Sequence, residues 1–128
     1  MSSEEAEAPA GPGVPSYDPA AEVVDLCREL IRIDTTNYGD PAGTEGPGER
    51  KAAEYVAALL DEVGIESRLY ESTPGRTSVV ATWGGSDDSR GRLLLHGHLD
   101  VVPAAAEDWQ VDPFSGEIQD GYVWGRGA

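Results

Sequence analysis

Both histidines of the chain, His96 and His98, lie close to an acidic residue, Asp100, and the three occupy alternate positions. In an extended segment, successive side chains point to opposite faces, so these three side chains would share one face. Neutral imidazole is the commonest metal ligand in proteins, and a zinc-binding histidine usually donates its other ring N–H to a carboxylate or a carbonyl. The pair His98 and Asp100 could therefore supply a metal ligand together with the group that orients it.

The elements around these residues are needed to interpret them, because an isolated His-x-Asp pair more often caps a strand and a turn. Zinc also takes three or four protein ligands, so one such pair cannot hold it. Leu93–Leu95 is an apolar run that precedes Gly97, which predicts a buried strand over residues 92–96 followed by a turn. Loops that leave a rigid scaffold commonly carry functional side chains. The context thus favours a site at the edge of a sheet.

A longer stretch, Leu95–Pro103, resembles the first metal motif of the M20 metallopeptidases. That family includes acetylornithine deacetylase, succinyl-diaminopimelate desuccinylase, aminoacylase and the glutamate carboxypeptidases. Further segments resemble the family in the same order: Trp109, Asp112–Gly116, Asp120–Gly121 and Gly125–Ala128. Asp34–Asn37 is similar to the segment that follows the family's first helix. The resemblance covers nearly everything after residue 18.

The resemblance implies roles for individual residues. His98 matches a ligand of one of two divalent metal ions, with zinc expected and cobalt or manganese as alternatives. Asp100 matches the catalytic carboxylate that orients this imidazole and raises its basicity. The position of His96 is variable in the family, so we expect a structural role for it. The implied reaction is metal-dependent hydrolysis of the amide bond of an N-acyl amino acid or a short peptide.

One departure from the family concerns the end of the sequence. In the family, the segment that Gly125–Ala128 resembles leads to an aspartate that bridges the two metal ions, and this sequence stops at Ala128. The later glutamate pair, a further acidic ligand and a distal histidine do not follow either. We therefore expect an N-terminal fragment of a two-metal enzyme, inactive by itself.

Two alternatives remain open. An apolar strand followed by His-Gly supplies oxyanion-hole amides in serine hydrolases of the α/β-hydrolase fold, and the segment from Leu93 to Gly97 imitates it, although no Gly-x-Ser-x-Gly occurs. Insensitivity to chelators would favour that reading. The other alternative is a non-catalytic binding or regulatory fragment with the same fold. A reading frame that continues past Ala128 into Asp and Glu-Glu would favour the enzyme.

Composition restricts the partners. Twenty-four acidic residues against nine basic ones give a formal net charge of −15, which argues against nucleic acid and anionic membranes as partners. The sequence shows no membrane-length apolar stretch and no secretory leader. The single cysteine, Cys27, allows no internal disulfide, as is typical of reducing compartments. We expect a cytoplasmic protein with a small acyl-amino acid or peptide substrate, and a homodimer could form through a domain outside this chain.

The remaining sequence predicts an α/β fold. Residues 1–17 lack apolar periodicity and are expected to form a disordered tail, whereas residues 18–128 would form the N-terminal part of an M20-like catalytic domain. Asp18 and Pro19 predict a helix start, and Gly64 predicts the end of a second helix. Between these helices, residues 37–48 read as a long loop. Strands are predicted over residues 65–70, 77–83 and 92–96, and a hairpin over Glu117–Trp124 around Asp120–Gly121. From the resemblance we expect a mixed sheet flanked by helices, as in the zinc-peptidase-like catalytic domain.

Overall fold

The computed structural model describes residues 18–39 and 45–128. The expected disordered tail, residues 1–17, and the middle of the expected loop lie outside the described residues. The described elements are α1 (Pro19–Arg32), α2 (Arg50–Glu62), β1 (Ser67–Thr73), β2 (Arg76–Ala81), a short 3₁₀ turn (Ala106–Asp108), β3 (Glu117–Gln119) and β4 (Tyr122–Trp124). Helices thus combine with two small antiparallel sheets, β1–β2 and β3–β4, which is consistent with the predicted α/β class.

Helix α1 begins as its sequence predicts. The Asp18 carboxylate accepts hydrogen bonds from the N–H groups of Ala20 and Ala21 at 3.0 and 3.4 Å, and Pro19 occupies the first helical position. The helix then packs against the C-terminal part of the chain. A Cβ atom added at Gly125 would lie 2.3 Å from Cγ2 of Ile31, so only glycine allows this close approach.

Helix α2 ends in a Schellman motif. The N–H of Gly64 donates to the Asp61 carbonyl at 2.9 Å, and the N–H of Ile65 donates to the Leu60 carbonyl at 2.8 Å. Gly64 has a φ of +75°, the left-handed conformation that this motif requires. The helix packs against the β1–β2 hairpin and buries Ala52 and Ala53 completely or nearly so.

The strands predicted over residues 65–70 and 77–83 form with shifted bounds and pair as a hairpin, and the hairpin predicted around Asp120–Gly121 forms as expected. Strands β1 and β2 pair across the turn that follows Thr73, with Leu69 opposite Val79. Strands β3 and β4 are joined by Asp120 and Gly121, whose φ values of 53° and 81° are those of a tight two-residue turn.

The prediction of a buried strand over residues 92–96 is wrong. Leu93, Leu94 and Leu95 are 83%, 86% and 83% exposed, and in the described part of the chain no strand pairs with them. An apolar run becomes a central strand only where neighbouring strands satisfy its backbone and both faces are covered. Neither described hairpin provides this, so the mixed sheet is not formed within residues 18–39 and 45–128. Over those residues, no helix is both long and apolar enough to cross a membrane.

Candidate metal centre

Two distant segments pair to form the base of the candidate site. A parallel bridge joins Thr36 to Val101, and it is supported by hydrogen bonds on both sides. The Val101 N–H donates to the Thr35 carbonyl at 3.2 Å, and the Asn37 N–H donates to the Val101 carbonyl at 2.8 Å. The Thr35 hydroxyl donates to the Leu99 carbonyl at 2.7 Å. Thr35 and Thr36 are buried, only 3% and 4% exposed. Residues 99–101 are therefore held by hydrogen bonds to a buried loop segment and do not belong to a regular strand.

His98 and Asp100 are in contact, as their spacing predicts. Nδ1 of His98 lies 2.9 Å from the Asp100 carbonyl oxygen and 3.1 Å from Oδ1 of the same residue. Because both neighbours are acceptors, the hydrogen-bond network assigns the proton to Nδ1. The lone pair of Nε2 is then free on a ring whose side chain is 80% exposed. This is the state in which an imidazole can bind a metal ion.

The Asp100 carboxylate is held in the ionised form. Its Oδ2 atom accepts a hydrogen bond of 2.8 Å from Nδ2 of Asn37, which is the main cause of the lowered pKa of Asp100. The hydrogen bond with His98 and the positive charge of Arg76, 3.6 Å away, lower this pKa further, while partial burial opposes them. Asp100 is therefore an anion at neutral pH.

Arg76 connects the site to the first hairpin. Its Nη2 atom lies 2.9 Å from Oε1 of Glu49, a side chain that is only 8% exposed. The N–H groups of Arg76 do not point at Glu49 Oε1 with hydrogen-bond geometry. This buried oxygen therefore has an ion-pair contact but no hydrogen bond. The Glu49 N–H also donates to the Gly75 carbonyl at 2.9 Å. Arg76 thus contacts both Glu49, at the start of α2, and Asp100. The backbone of Glu49 in turn binds the turn between β1 and β2.

Of the side chains at the candidate site, one, that of His98, fits the role of a metal ligand. Within residues 18–39 and 45–128, no group of three or more His, Cys, Asp and Glu side chains could hold a metal ion. The free Nε2 of His98 has the chemistry of a ligand, and Asp100 has that of its orienting partner. His96 is exposed and, among the described contacts, shares no hydrogen bond with either of them. The predicted grouping of all three side chains is therefore reduced to one pair.

An open cavity of about 390 Å³ adjoins this pair. Asn37, His98, Asp100 and Arg126 contribute its polar lining. The Arg126 guanidinium lies 5.1 Å from the ring centre of Trp109, a cation–π distance, and its backbone N–H donates to the Pro113 carbonyl at 2.8 Å. The Gly-Arg-Gly segment is thus fixed beside the candidate ligand.

Sequence reasoning missed three residues around the pair. Asn37 belongs to a segment that resembles the family, but its contact with Asp100 spans 63 residues of sequence. Arg76 and Glu49 belong to no recognised motif, and no local pattern signals their approach. Besides that resemblance, the available signal for Asn37 is the Asp-Thr-Thr-Asn composition of its segment, which is rich in short polar side chains that form hydrogen bonds with nearby backbone.

The comparisons with known proteins agree on one family. The family described as peptidase family M20/M25/M40 matches residues 94–128, which include His98, Asp100 and Arg126. The chain is 34% identical to the N-fatty-acyl-amino acid synthase/hydrolase PM20D1 of Xenopus tropicalis over 107 residues, 84% of this chain and 21% of that protein. It is 35% identical to succinyl-diaminopimelate desuccinylase 2 of a Ruegeria species over 116 residues, 89% of this chain and 26% of that protein.

A mammalian relative extends the same pattern. The chain is 34% identical to aminoacylase-1 of Sus scrofa over 106 residues, which cover 82% of this chain and 24% of that protein. The site residues thus lie in the part of the sequence that these relatives share with the chain, and over the matched residues the chain belongs to the M20 peptidase family, as the sequence predicted. The chain spans about a quarter of the length of these curated relatives.

Proposed function

We propose that this chain is the N-terminal part of a metal-dependent amidohydrolase that cleaves the amide bond of N-acyl amino acids or short peptides. The observation that carries the proposal is the contact between His98 and Asp100, which leaves Nε2 of His98 free beside an open cavity. The pair lies inside the segment that matches the family. The names of the relatives point to acylated amino acids as the substrate class.

The proposed centre uses two divalent metal ions, with zinc expected and cobalt or manganese as alternatives. When bound, such ions polarise the substrate carbonyl and make water a stronger nucleophile. His98 would bind one ion through Nε2. Asp100 would hold the Nδ1 proton and keep the ring basic, and the ionised state of its carboxylate supports this role.

The 128-residue chain alone should not hydrolyse amides. Zinc sites need three or four protein ligands, and the described residues supply one histidine with its partner. The remaining ligands and the general base would come from the rest of a protein as long as the relatives. We also propose a cytoplasmic enzyme that takes small-molecule substrates, binds neither nucleic acid nor membranes, and could form a homodimer. Its net charge of −15 and single cysteine support this part of the proposal.

The test uses a protein extended to the length of the relatives. Metal content would be measured first, followed by hydrolysis of N-acetyl, N-succinyl and N-fatty-acyl amino acids and of dipeptides. We expect bound divalent metal, amide hydrolysis that chelators abolish, and loss of both in His98→Ala. His96→Ala is the matched control and should retain both, because among the described contacts its ring shares no hydrogen bond with Asp100.

Other outcomes would overturn the proposal. Equal loss of metal in His96→Ala and His98→Ala would show that the wrong histidine is assigned. Hydrolysis that persists with chelators but stops with a serine-reactive phosphonate would indicate a serine hydrolase. Turnover by the 128-residue chain comparable to that of the extended protein would refute its proposed inactivity.

A further inference from the structure

We propose that Asn37 is a positioning residue of the metal centre, whose side-chain amide fixes the Asp100 carboxylate and thereby the tautomer and orientation of His98. The proposal rests on the proposed function of His98 as a metal ligand. Its structural part, the control of the imidazole tautomer, is measurable without metal.

Asn37 is held in one orientation by its own surroundings. Its backbone N–H donates to the Val101 carbonyl at 2.8 Å, which anchors the main chain. Its Oδ1 atom accepts from the Gly39 N–H at 2.8 Å, and its Nδ2 atom donates to Asp100 at 2.8 Å. A flipped amide would place its oxygen against the carboxylate and its NH₂ group against an N–H donor. The hydrogen-bond pattern therefore admits one assignment of the amide.

The two carboxylate oxygens of Asp100 contact different partners. Oδ2 is engaged by Asn37 at 2.8 Å, and Oδ1 faces Nδ1 of His98 at 3.1 Å. Arg76 lies 3.6 Å from Oδ2 and contributes charge without a hydrogen bond of normal length. Apart from His98 itself, the Asn37 amide is thus the described partner that directs the carboxylate. Without it, the carboxylate could turn towards Arg76 and leave the imidazole.

The consequence for His98 follows from which ring nitrogen carries the proton. That choice is set by the hydrogen bond that the ring makes. The Nδ1–H group has two acceptors in Asp100, the carbonyl oxygen at 2.9 Å and the carboxylate at 3.1 Å. A charged acceptor forms the stronger bond, so correct placement of the carboxylate should favour the Nδ1–H tautomer. Asn37 would in this way keep Nε2 available for a metal ion.

The first experiment measures the tautomer of His98 in the metal-free 128-residue chain. Long-range ¹H–¹⁵N correlation spectra of the imidazole at a fixed, mildly alkaline pH report the share of the Nδ1–H form, and His96→Ala assigns the two rings. Asn37→Asp retains an oxygen for the Gly39 N–H but loses the donor to Asp100, whereas Asn37→Ala removes both contacts. Ser89→Ala is the matched control, because it removes a side-chain hydrogen bond to another carboxylate, that of Asp87, without touching Asp100.

We expect a predominant Nδ1–H form in the wild type and in Ser89→Ala, with a shift towards Nε2–H in both Asn37 variants. In an Asp100→Ala background, the Asn37 substitutions should have no further effect, since the partner through which they act is gone. Folding of each variant is checked by its backbone amide spectrum. An unchanged tautomer in the folded Asn37 variants would overturn the proposal and show that the Asp100 carbonyl suffices.

The second experiment measures metal affinity in the extended protein. Asn37→Asp and Asn37→Ala should bind zinc about 10- to 100-fold more weakly, as other partners of metal ligands do when they are replaced. Ser89→Ala should bind it as the wild type does. Equal affinity in all four proteins would refute a role for Asn37 at the metal centre. A wild type that binds no metal would instead refute the proposed function, while the tautomer result would still decide the role of Asn37 towards His98.

Discussion

Nη2 of Arg76 lies 2.9 Å from Oε1 of Glu49, and this ion pair joins the second strand of the first hairpin to the start of α2. The Glu49 side chain is 8% exposed and that of Arg76 is 30% exposed, so the pair is only partly screened by water. The same guanidinium approaches Asp100 at 3.6 Å. One side chain therefore supports both a packing contact and the charge balance of the candidate site.

Replacement of Arg76 should destabilise the fold measurably. Breaking a buried ion pair costs about 3–5 kcal/mol and an exposed one about 0–1 kcal/mol. For the partly exposed Arg76, Arg76→Met should lower the free energy of unfolding by about 1–3 kcal/mol, measured by urea denaturation. Arg50→Met is the exposed control, because Arg50 is 53% exposed in its pairs with Glu54 and Glu71, and it should destabilise the fold less than Arg76→Met.

A double substitution separates the ion pair from other effects of Arg76. Because Arg76→Met leaves Glu49 buried without a counter-ion, Glu49→Gln should recover part of the lost stability in the same chain. Additive losses in the double variant would show that the pair itself contributes nothing.

The helices and the short hairpin could be predicted because their signals are local. Asp18 caps the helix that follows it within a turn, and Gly64 supplies the left-handed residue that ends the next one. Asp120 and Gly121 define their hairpin in the same way. Each of these signals acts between residues a few positions apart, and no distant partner is needed to complete it.

The prediction of a strand over residues 92–96 was wrong for the opposite reason. A strand depends on partners elsewhere in the chain, and an apolar run cannot show whether they are present. The same distinction between local and distant signals applies to the residues of the candidate site. The contact between His98 and Asp100 follows from spacing, whereas Asn37 and Arg76 reach Asp100 only through the folded arrangement of distant segments.

The contact between α1 and the Gly-Arg-Gly segment predicts intolerance at Gly125. A Cβ atom there would lie 2.3 Å from Ile31, which is buried and cannot move aside freely. Gly125→Ala should lower the free energy of unfolding by about 1–3 kcal/mol, as other overpacked sites do. Gly84→Ala should not show this overpacking cost, since an added Cβ there meets nothing within 4 Å. The cost of Gly125→Ala should also shrink in an Ile31→Ala background; an equal cost there would contradict the predicted clash.

The hydrogen bonds of the loop before Leu93 allow a prediction of how the ionisation of Asp87 affects the stability of the fold in acid. The hydroxyl and the backbone N–H of Ser89 both donate to Asp87, at 2.5 and 3.0 Å. These bonds hold the pKa of Asp87 below its ordinary value of 3.8, with a hydrogen bond from Arg90 helping and slight desolvation opposing. Because the folded pKa is lowered, Asp87 stabilises the fold above pH 3.8, and this contribution is lost as the pH falls through the lowered pKa.

Replacement of Ser89 tests this response. In Ser89→Ala the backbone bond remains and the hydroxyl bond is lost, so the pKa of Asp87 should rise part of the way towards 3.8. Carboxyl ¹³C chemical shifts followed between acidic and neutral pH measure it. Ser86→Ala, in the same loop, should leave the titration of Asp87 unchanged. A pKa of Asp87 that is the same in the wild type and Ser89→Ala would rule out the hydroxyl as its main cause.

The exposed leucine run predicts that the 128-residue chain associates with itself. Leu93, Leu94 and Leu95 are 83%, 86% and 83% exposed, and contiguous apolar surface of this kind favours association. No described strand pairs with their backbone, so one copy can offer it to another. Sedimentation velocity should show a larger associated fraction at higher concentration.

Leu94→Lys should shift the chain towards monomer, because a charge within the run opposes stacking of two copies. Tyr122→Lys removes a single apolar side chain that is 71% exposed and should leave the association unchanged. A wild type that sediments as a monomer at every concentration would show that three adjacent exposed leucines do not suffice.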